Sequence, residues 1–107
     1  MAIPRAALKA SRSDATVLTN LMTGRAARGI ANRLIREVGP ISDQAPEFPL
    51  AGGALAPLRA KAEAAGSGDF SPMWSGQAAS LGREMPARQL TAKLVGEAQA
   101  LLRGLAE

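Results

Sequence analysis

Apolar residues recur at helical spacing in three stretches of the chain. Leu90, Leu94, Ala98, Leu101 and Leu105 fall three or four apart and predict a final amphipathic helix opened by Pro86. Ile30, Leu34 and Val38 recur four apart with Arg33 and Arg36 off that face, which predicts a helix from about Ala26 to Val38, ended by Gly39-Pro40. Leu55, Leu58 and Ala62 turn inward and Arg59, Lys61 and Glu63 outward in a third predicted helix from Gly53 to Ala65, with Gly66 as its C-terminal cap.

Shorter elements follow from local chemistry. Pro4 to Ser11 predicts a short helix, with proline in its first turn and Ala6, Ala7, Leu8 and Ala10 supplying propensity. Ser71-Pro72 has the form of a helix start, with Asp69 placed to favour the positive helix end, and the helix is expected to run through Gln77 to about Leu81. Thr16, Val17 and Thr19 are β-branched, so Asp14 to Asn20 is expected to be extended. Gly24 marks a turn. Residues 40–53, with Pro40, Pro46 and Pro49, show no periodicity and read as an ordered, irregular connection. The fold class expected is mostly α, with one short strand near 14–20.

Composition narrows the chemistry. The 107 residues contain no cysteine and no histidine, which excludes disulfides, thiolate or imidazole metal sites and the commonest general base, so no metal site is expected. Aromatic residues are 3% of the chain, namely Phe48, Phe70 and Trp74, and the expected core is aliphatic and thin. No apolar run approaches the roughly 20 residues of a membrane span, and Met1 to Ala10 lacks a signal-peptide core, so no membrane association and a cytoplasmic location are expected. The net charge of +4 is uneven: seven basic residues face Asp14 alone up to Arg36, and six face eight acidic ones beyond it. A basic half can meet phosphates or an acidic partner, but no aromatic residues interleave with its arginines for base stacking, which argues against nucleic acid.

No catalytic set emerges. Ser71 and Ser75 have no histidine base, and nothing in the spacing of Asp69 and Glu84 pairs them as acid and base. Gly52-Gly53 and Gly66-Ser67-Gly68 lack the spacing of phosphate-binding loops and read as turns and caps. The arginines of Thr23 to Arg36 are a solvated helix face or an interdomain contact. Trp74 is packed in a core or interface, or stacked on a cofactor. Arg25, Arg28 and Asn32 are expected to form a structural clamp where the chain leaves its extended segment, with Arg28 and Asn32 sharing a helix face and Arg25 near the helix start, where a cation needs a partner.

Certain residues carry a resemblance. Thr23-Gly24-Arg25, Arg28-Gly29-Ile30, Asn32, Ala45-Pro46, Phe48-Pro49-Leu50, Gly68-Asp69-Phe70, Trp74, Gly76-Gln77 and Met85-Pro86-Ala87 resemble the C-terminal portion of the nitronate monooxygenase (2-nitropropane dioxygenase) family, from about Asp14 to Leu94. Ala26 departs from the proline expected between the two arginines. Gly76-Gln77 also resembles a motif of the flavin-dependent enoyl-ACP reductases. The resemblance implies an FMN-dependent (β/α)8 barrel, with a smaller helical region over the flavin, that oxidises alkyl nitronates with dioxygen through the reduced flavin and a histidine base.

A barrel needs about 250 residues, so residues 1–107 are expected to be an incomplete, C-terminal part of such a domain, with the TIM-type barrel itself absent. FMN belongs to the full-length family and is not expected on this chain alone, with Trp74, Gly76 and Gln77 as candidates for touching it. The partner implied is the remainder of the barrel, in the same or a separate chain. Stripes such as Ile30-Leu34-Val38 and Leu90-Leu94-Leu101, left exposed without it, favour self-association. The competing reading is a stand-alone helical module that binds an acidic protein or nucleic acid through its basic half.

Overall fold

The computed structural model describes residues 2–10, 12 and 15–106. The elements in chain order are helix α1 (Ala2–Lys9), strands β1 (Thr16–Thr19) and β2 (Ala27–Ile30), helix α2 (Arg33–Val38), helix α3 (Ala51–Ala64), a single 3-10 turn (Ala79–Leu81) and helix α4 (Ala87–Ala106). The expected starts or ends at Ser11 and Asp14 lie outside the described residues.

The expected helix from Ala26 to Val38 is two elements. Its first part, Ala27–Ile30, pairs antiparallel with β1 in the register Thr16↔Ile30 to Thr19↔Ala27. Asn32 then caps a helix of only six residues. Ile30 and Leu34 are both buried, but one points in from a strand and the other from a helix, so their four-residue spacing is not a helical stripe. Gly29 explains part of the choice. A Cβ there would lie 3.0 Å from the Met73 carbonyl oxygen, so β2 accepts a neighbour on its second edge that a helix interior would not need.

That neighbour is the segment expected to be helical from Ser71. It is instead extended: Ile30 N–H donates to the Met73 carbonyl at 2.8 Å, Ser75 N–H donates to the Arg28 carbonyl at 3.3 Å, and Gly29 and Trp74 form an antiparallel bridge. Helix reappears only in the turn Ala79–Leu81. Tertiary pairing with β2 outweighs the Ser-Pro cap signature because it satisfies backbone groups on both sides.

The connection between β1 and β2 turns through Gly24, whose φ is +98°. A side chain there would meet the Phe48 nitrogen and lie 2.6 Å from the Pro46 carbonyl oxygen. The irregular stretch after α2 is therefore held directly against this turn. Asn20 fastens it further: its side chain donates to the Ser42 carbonyl at 2.7 Å and accepts from Ser42 N–H at 3.0 Å.

Leu21, Met22, Leu34 and Ile35 form the buried core, with Val17, Ala31, Ala45, Leu55 and Phe70 packed around them. Each such leucine-sized side chain contributes about 1.5–3 kcal/mol on burial. α3 begins at Ala51 rather than Gly53 and ends where Gly66, at φ +78°, turns the chain. Leu58, expected inward, is exposed. α1 lies along Gly68 and Gly82, where a Cβ on Gly68 would meet Ile3 at 2.8 Å. α4 contains no buried residue.

Candidate functional site

The residues singled out in the sequence converge on the two ends of β2. Arg28 lies on the strand, not on a helix face. Its guanidinium reaches diagonally across the ladder and donates from Nη1 to the Thr16 carbonyl at 3.1 Å and to Thr16 Oγ1 at 3.3 Å. Asn32 is buried at the junction of β2 and α2. Its Oδ1 accepts from Ile35 N–H at 3.3 Å, capping α2, and its Nδ2 donates to the carbonyls of Gly68 at 3.0 Å and Ser71 at 2.9 Å. Leu34 N–H adds a bond to the Asp69 carbonyl at 3.0 Å, so two donors from the entry of α2 hold the 68–71 turn.

Arg25 does not sit at a helix start. It follows the Gly24 turn, and its guanidinium lies over the Phe48 ring at 4.3 Å from the centroid. Arg28 and Asn32 do not share a helix face either. Each of the three side chains makes a different tie: Arg28 joins β2 to β1 within the hairpin, Asn32 holds the 68–71 turn, and Arg25 the 46–48 stretch.

A tie that the sequence did not announce joins the same region from behind. Ser71, buried, donates its hydroxyl to Glu63 Oε1 at 2.7 Å, and Glu63 also accepts from Arg59 Nε at 2.8 Å. The Arg59 and Ser71 hydrogen bonds together hold the Glu63 carboxyl below its usual range. Ser71 reads in the sequence as a helix cap, and only the long-range fold shows that its hydroxyl is spent on α3.

Trp74 lies within the segment paired with β2, and Gly76 and Gln77 follow it directly. The Trp74 indole crosses Gly29, 3.6 Å from where a Cβ would stand, and remains 48% exposed on its other side. Nothing lies within 4 Å of a Cβ on Gly76. Gln77 is exposed. The fit of FMN to these residues alone is poor. Gly24, Gly29, Gly39, Gly52 and Gly68 are each closed by protein atoms rather than open toward a ligand, and no buried side-chain polar atom among the described residues lacks a partner. Asp69 and Glu84 do not form an acid–base pair: Asp69 joins the 68–71 turn through its backbone, and Glu84 pairs with Lys9 at 3.4 Å.

Among the described residues no group of three or more potential ligands could hold a metal ion, and no helix is long and apolar enough to cross a membrane. A helix-rich segment with a short hairpin and a network of interior ties is the class these features define. The family model described as nitronate monooxygenase matches residues 1–97. The chain belongs to that family.

It is 42% identical over 94 residues to a nitronate monooxygenase of Pseudomonas aeruginosa, a match covering 87% of this chain and 27% of that protein. It is 32% identical over 96 residues to a probable nitronate monooxygenase of Staphylococcus saprophyticus, covering 90% and 27%. Its fold matches nitroalkane oxidase from Streptomyces ansochromogenes with a TM-score of 0.79 at 36% identity, covering 94% of this chain and 29% of the oxidase. The chain thus spans about a quarter of the length of these relatives, and what it matches is the C-terminal portion of the family. Its fold is that of the helical C-terminal segment of an α/β barrel protein, without the barrel.

Proposed function

We propose that this chain is the C-terminal helical cover of an FMN-dependent nitronate monooxygenase, and that alone it neither retains FMN nor oxidises nitronates. The observation that carries the reading is the family match across residues 1–97 within relatives more than three times as long. Two features of the chain support the second half. The sequence holds no histidine, the base that the family resemblance implies, and Gly24, Gly29, Gly39, Gly52 and Gly68 are packed against its own backbone and side chains rather than open to a phosphate.

On this reading the chain's own residues work by positioning. Arg25, Arg28 and Asn32 act as the structural clamp that keeps β1, the 46–48 stretch and the 68–71 turn in one piece. The edge formed by Trp74, Gly76 and Gln77 is then presented in a fixed orientation to the rest of the enzyme.

Two preparations test it. The purified chain after desalting is expected to be colourless and without nitronate-oxidising activity. A chimera in which this chain replaces the matched 94-residue segment of the Pseudomonas aeruginosa relative is expected to retain the yellow flavin and turn over alkyl nitronates. FMN held by the lone chain at near one equivalent overturns the claim of dependence. A folded chimera without flavin overturns the cover reading.

A further inference from the structure

The geometry points to Glu63 as the positioning residue for the Trp74 edge: from the far end of α3 it fixes the indole on β2 through Ser71. For its role in the enzyme the inference rests on the cover reading, whereas the coupling itself belongs to this chain alone.

Trp74 does not hold itself in place. Its indole makes no hydrogen bond to a described residue; it lies over Gly29 and is half-exposed. Its position follows from the backbone on either side. Before it the Met73 carbonyl accepts from Ile30 N–H, and after it Ser75 N–H donates to the Arg28 carbonyl. Pro72 has no N–H and a fixed φ, so the next fastening upstream is Ser71. All three polar groups of Ser71 are used. Its N–H donates to the Gly68 carbonyl at 3.2 Å, its carbonyl accepts from Asn32 Nδ2 at 2.9 Å and its hydroxyl donates to Glu63 Oε1 at 2.7 Å. Only the last of these reaches α3, and its charged acceptor makes it the strongest of the set.

α3 depends on the same bond. Its buried residue is Ala51, at its first position, and Leu55 packs on the core one turn later. Beyond that Leu58 is exposed, and Glu63 makes the one side-chain hydrogen bond by which the helix reaches a described residue outside it. One carboxylate thus couples the end of α3 to the segment that carries Trp74. A serine hydroxyl on a carboxylate can also be a nucleophile with its base. Here Ser71 is 3% exposed, which shuts out a substrate. Arg59 and Ser71 hold the Glu63 carboxyl below its usual range, which makes it a poor base. The pair therefore positions and does not react.

Trp74 is the sole tryptophan, so its emission and its quenching by acrylamide report on the edge directly. In the lone chain, Ser71→Ala and Glu63→Ala are each expected to shift the emission to the red and raise quenching, at temperatures where the circular dichroism equals that of the parent. Glu63→Gln keeps an oxygen for the Ser71 hydroxyl and is expected to restore the parent spectrum. Arg59→Ala leaves the Ser71 tie in place and is expected to preserve it. Ser71→Ala and Glu63→Ala combined are expected to do no more than either alone. In the chimera, Ser71→Ala is expected to weaken FMN retention about tenfold with turnover per bound flavin unchanged. An unchanged spectrum in Ser71→Ala, the variant that strands no buried polar group, overturns the inference. So does a Glu63→Gln chain that behaves like Glu63→Ala. Turnover per bound flavin lost at an unchanged spectrum assigns the pair to the chemistry and overturns it as well. A shifted spectrum with full flavin retention overturns the role in the enzyme and leaves the cover reading standing. A parent chimera that folds without flavin removes the cover reading and that role together, while the spectra still decide the coupling.

Discussion

Replacing Asn32 probes the joint on which this fold depends. The side chain makes three bonds, and each loss can be sized. Removing Oδ1 uncaps α2 and costs about 1 kcal/mol. Removing Nδ2 leaves the Gly68 carbonyl with Ser71 N–H at 3.2 Å but leaves the Ser71 carbonyl with no donor among the described residues. An unsatisfied buried acceptor costs about 1–3 kcal/mol. Asn32→Ala is therefore expected to cost about 2–4 kcal/mol, and at about 4–8 °C per kcal/mol for a domain near this size, the melting temperature falls by roughly 8–32 °C.

Two further substitutions divide that loss. Asn32→Ser keeps a cap acceptor and loses the donors, so it is expected about 1 kcal/mol above alanine. Asn32→Asp keeps the shape and the cap but turns a carboxylate oxygen toward two carbonyls. Burial and those carbonyls favour its neutral form, so its pKa in the folded state is raised. Its stability is then greatest below the ordinary aspartate value of about 4 and is lost as pH rises through the folded value. Thermal melts of the lone chain across pH provide the assay. If alanine melts within about 2 °C of the parent, or aspartate matches asparagine at neutral pH, the two Nδ2 bonds carry no stability and the joint is held by something else.

Arg28→Ala is expected to cost about 1–3 kcal/mol in denaturant midpoint, the range for a charged hydrogen bond left unmade, and to lower flavin retention by the chimera without abolishing turnover. Loss of turnover at unchanged stability would place the arginine in the chemistry instead. Gly29→Val is expected to push the indole of Trp74, the sole tryptophan, off β2 and shift its fluorescence to the red, because a Cβ there already stands 3.0 Å from Met73 O and 3.6 Å from the ring; an unchanged spectrum refutes that packing. Glu63, whose carboxyl is held below its ordinary value of 4.5 by Arg59 and Ser71, contributes stability that is complete above that value and is lost as pH falls through the folded one. Glu63→Gln is accordingly expected to flatten the acid limb of the melting profile, and an unaltered limb counts against the tie.

Legibility in the sequence follows the range of the interaction that decides each element. α3 and α4 were readable because their spacing survives whether or not a partner is present: α4 keeps Leu90, Leu94, Leu101 and Leu105 on one side even with that side in solvent. β2 was not readable. Its fate is decided by β1, some twelve residues upstream, and by Met73 to Ser75, more than forty downstream, and no local window contains both. The local sequence did hold two signals against a long helix, a poor helix former at Gly29 and a preferred N-cap residue at Asn32, but Ile30, Leu34 and Val38 matched the helical period more loudly. Ser71-Pro72 failed in the mirror-image way, since a sound cap signature was overruled by pairing with β2.

The same distinction bears on the candidate site. Arg25, Arg28 and Asn32 attract notice because the expected helix gives such side chains nothing local to do, and the structure gives each a non-local partner: Phe48, Thr16 and the carbonyls of Gly68 and Ser71. Their partners lie on three different segments, so losing one should loosen one edge of the hairpin while the others hold. Arg28→Ala and Asn32→Ala combined should then show nearly additive costs, since the two share neither a donor nor an acceptor. A coupling energy above about 0.5 kcal/mol in that double-mutant cycle would mean that the clamp is one cooperative unit, and that the short strand between the two residues transmits strain from one tie to the other.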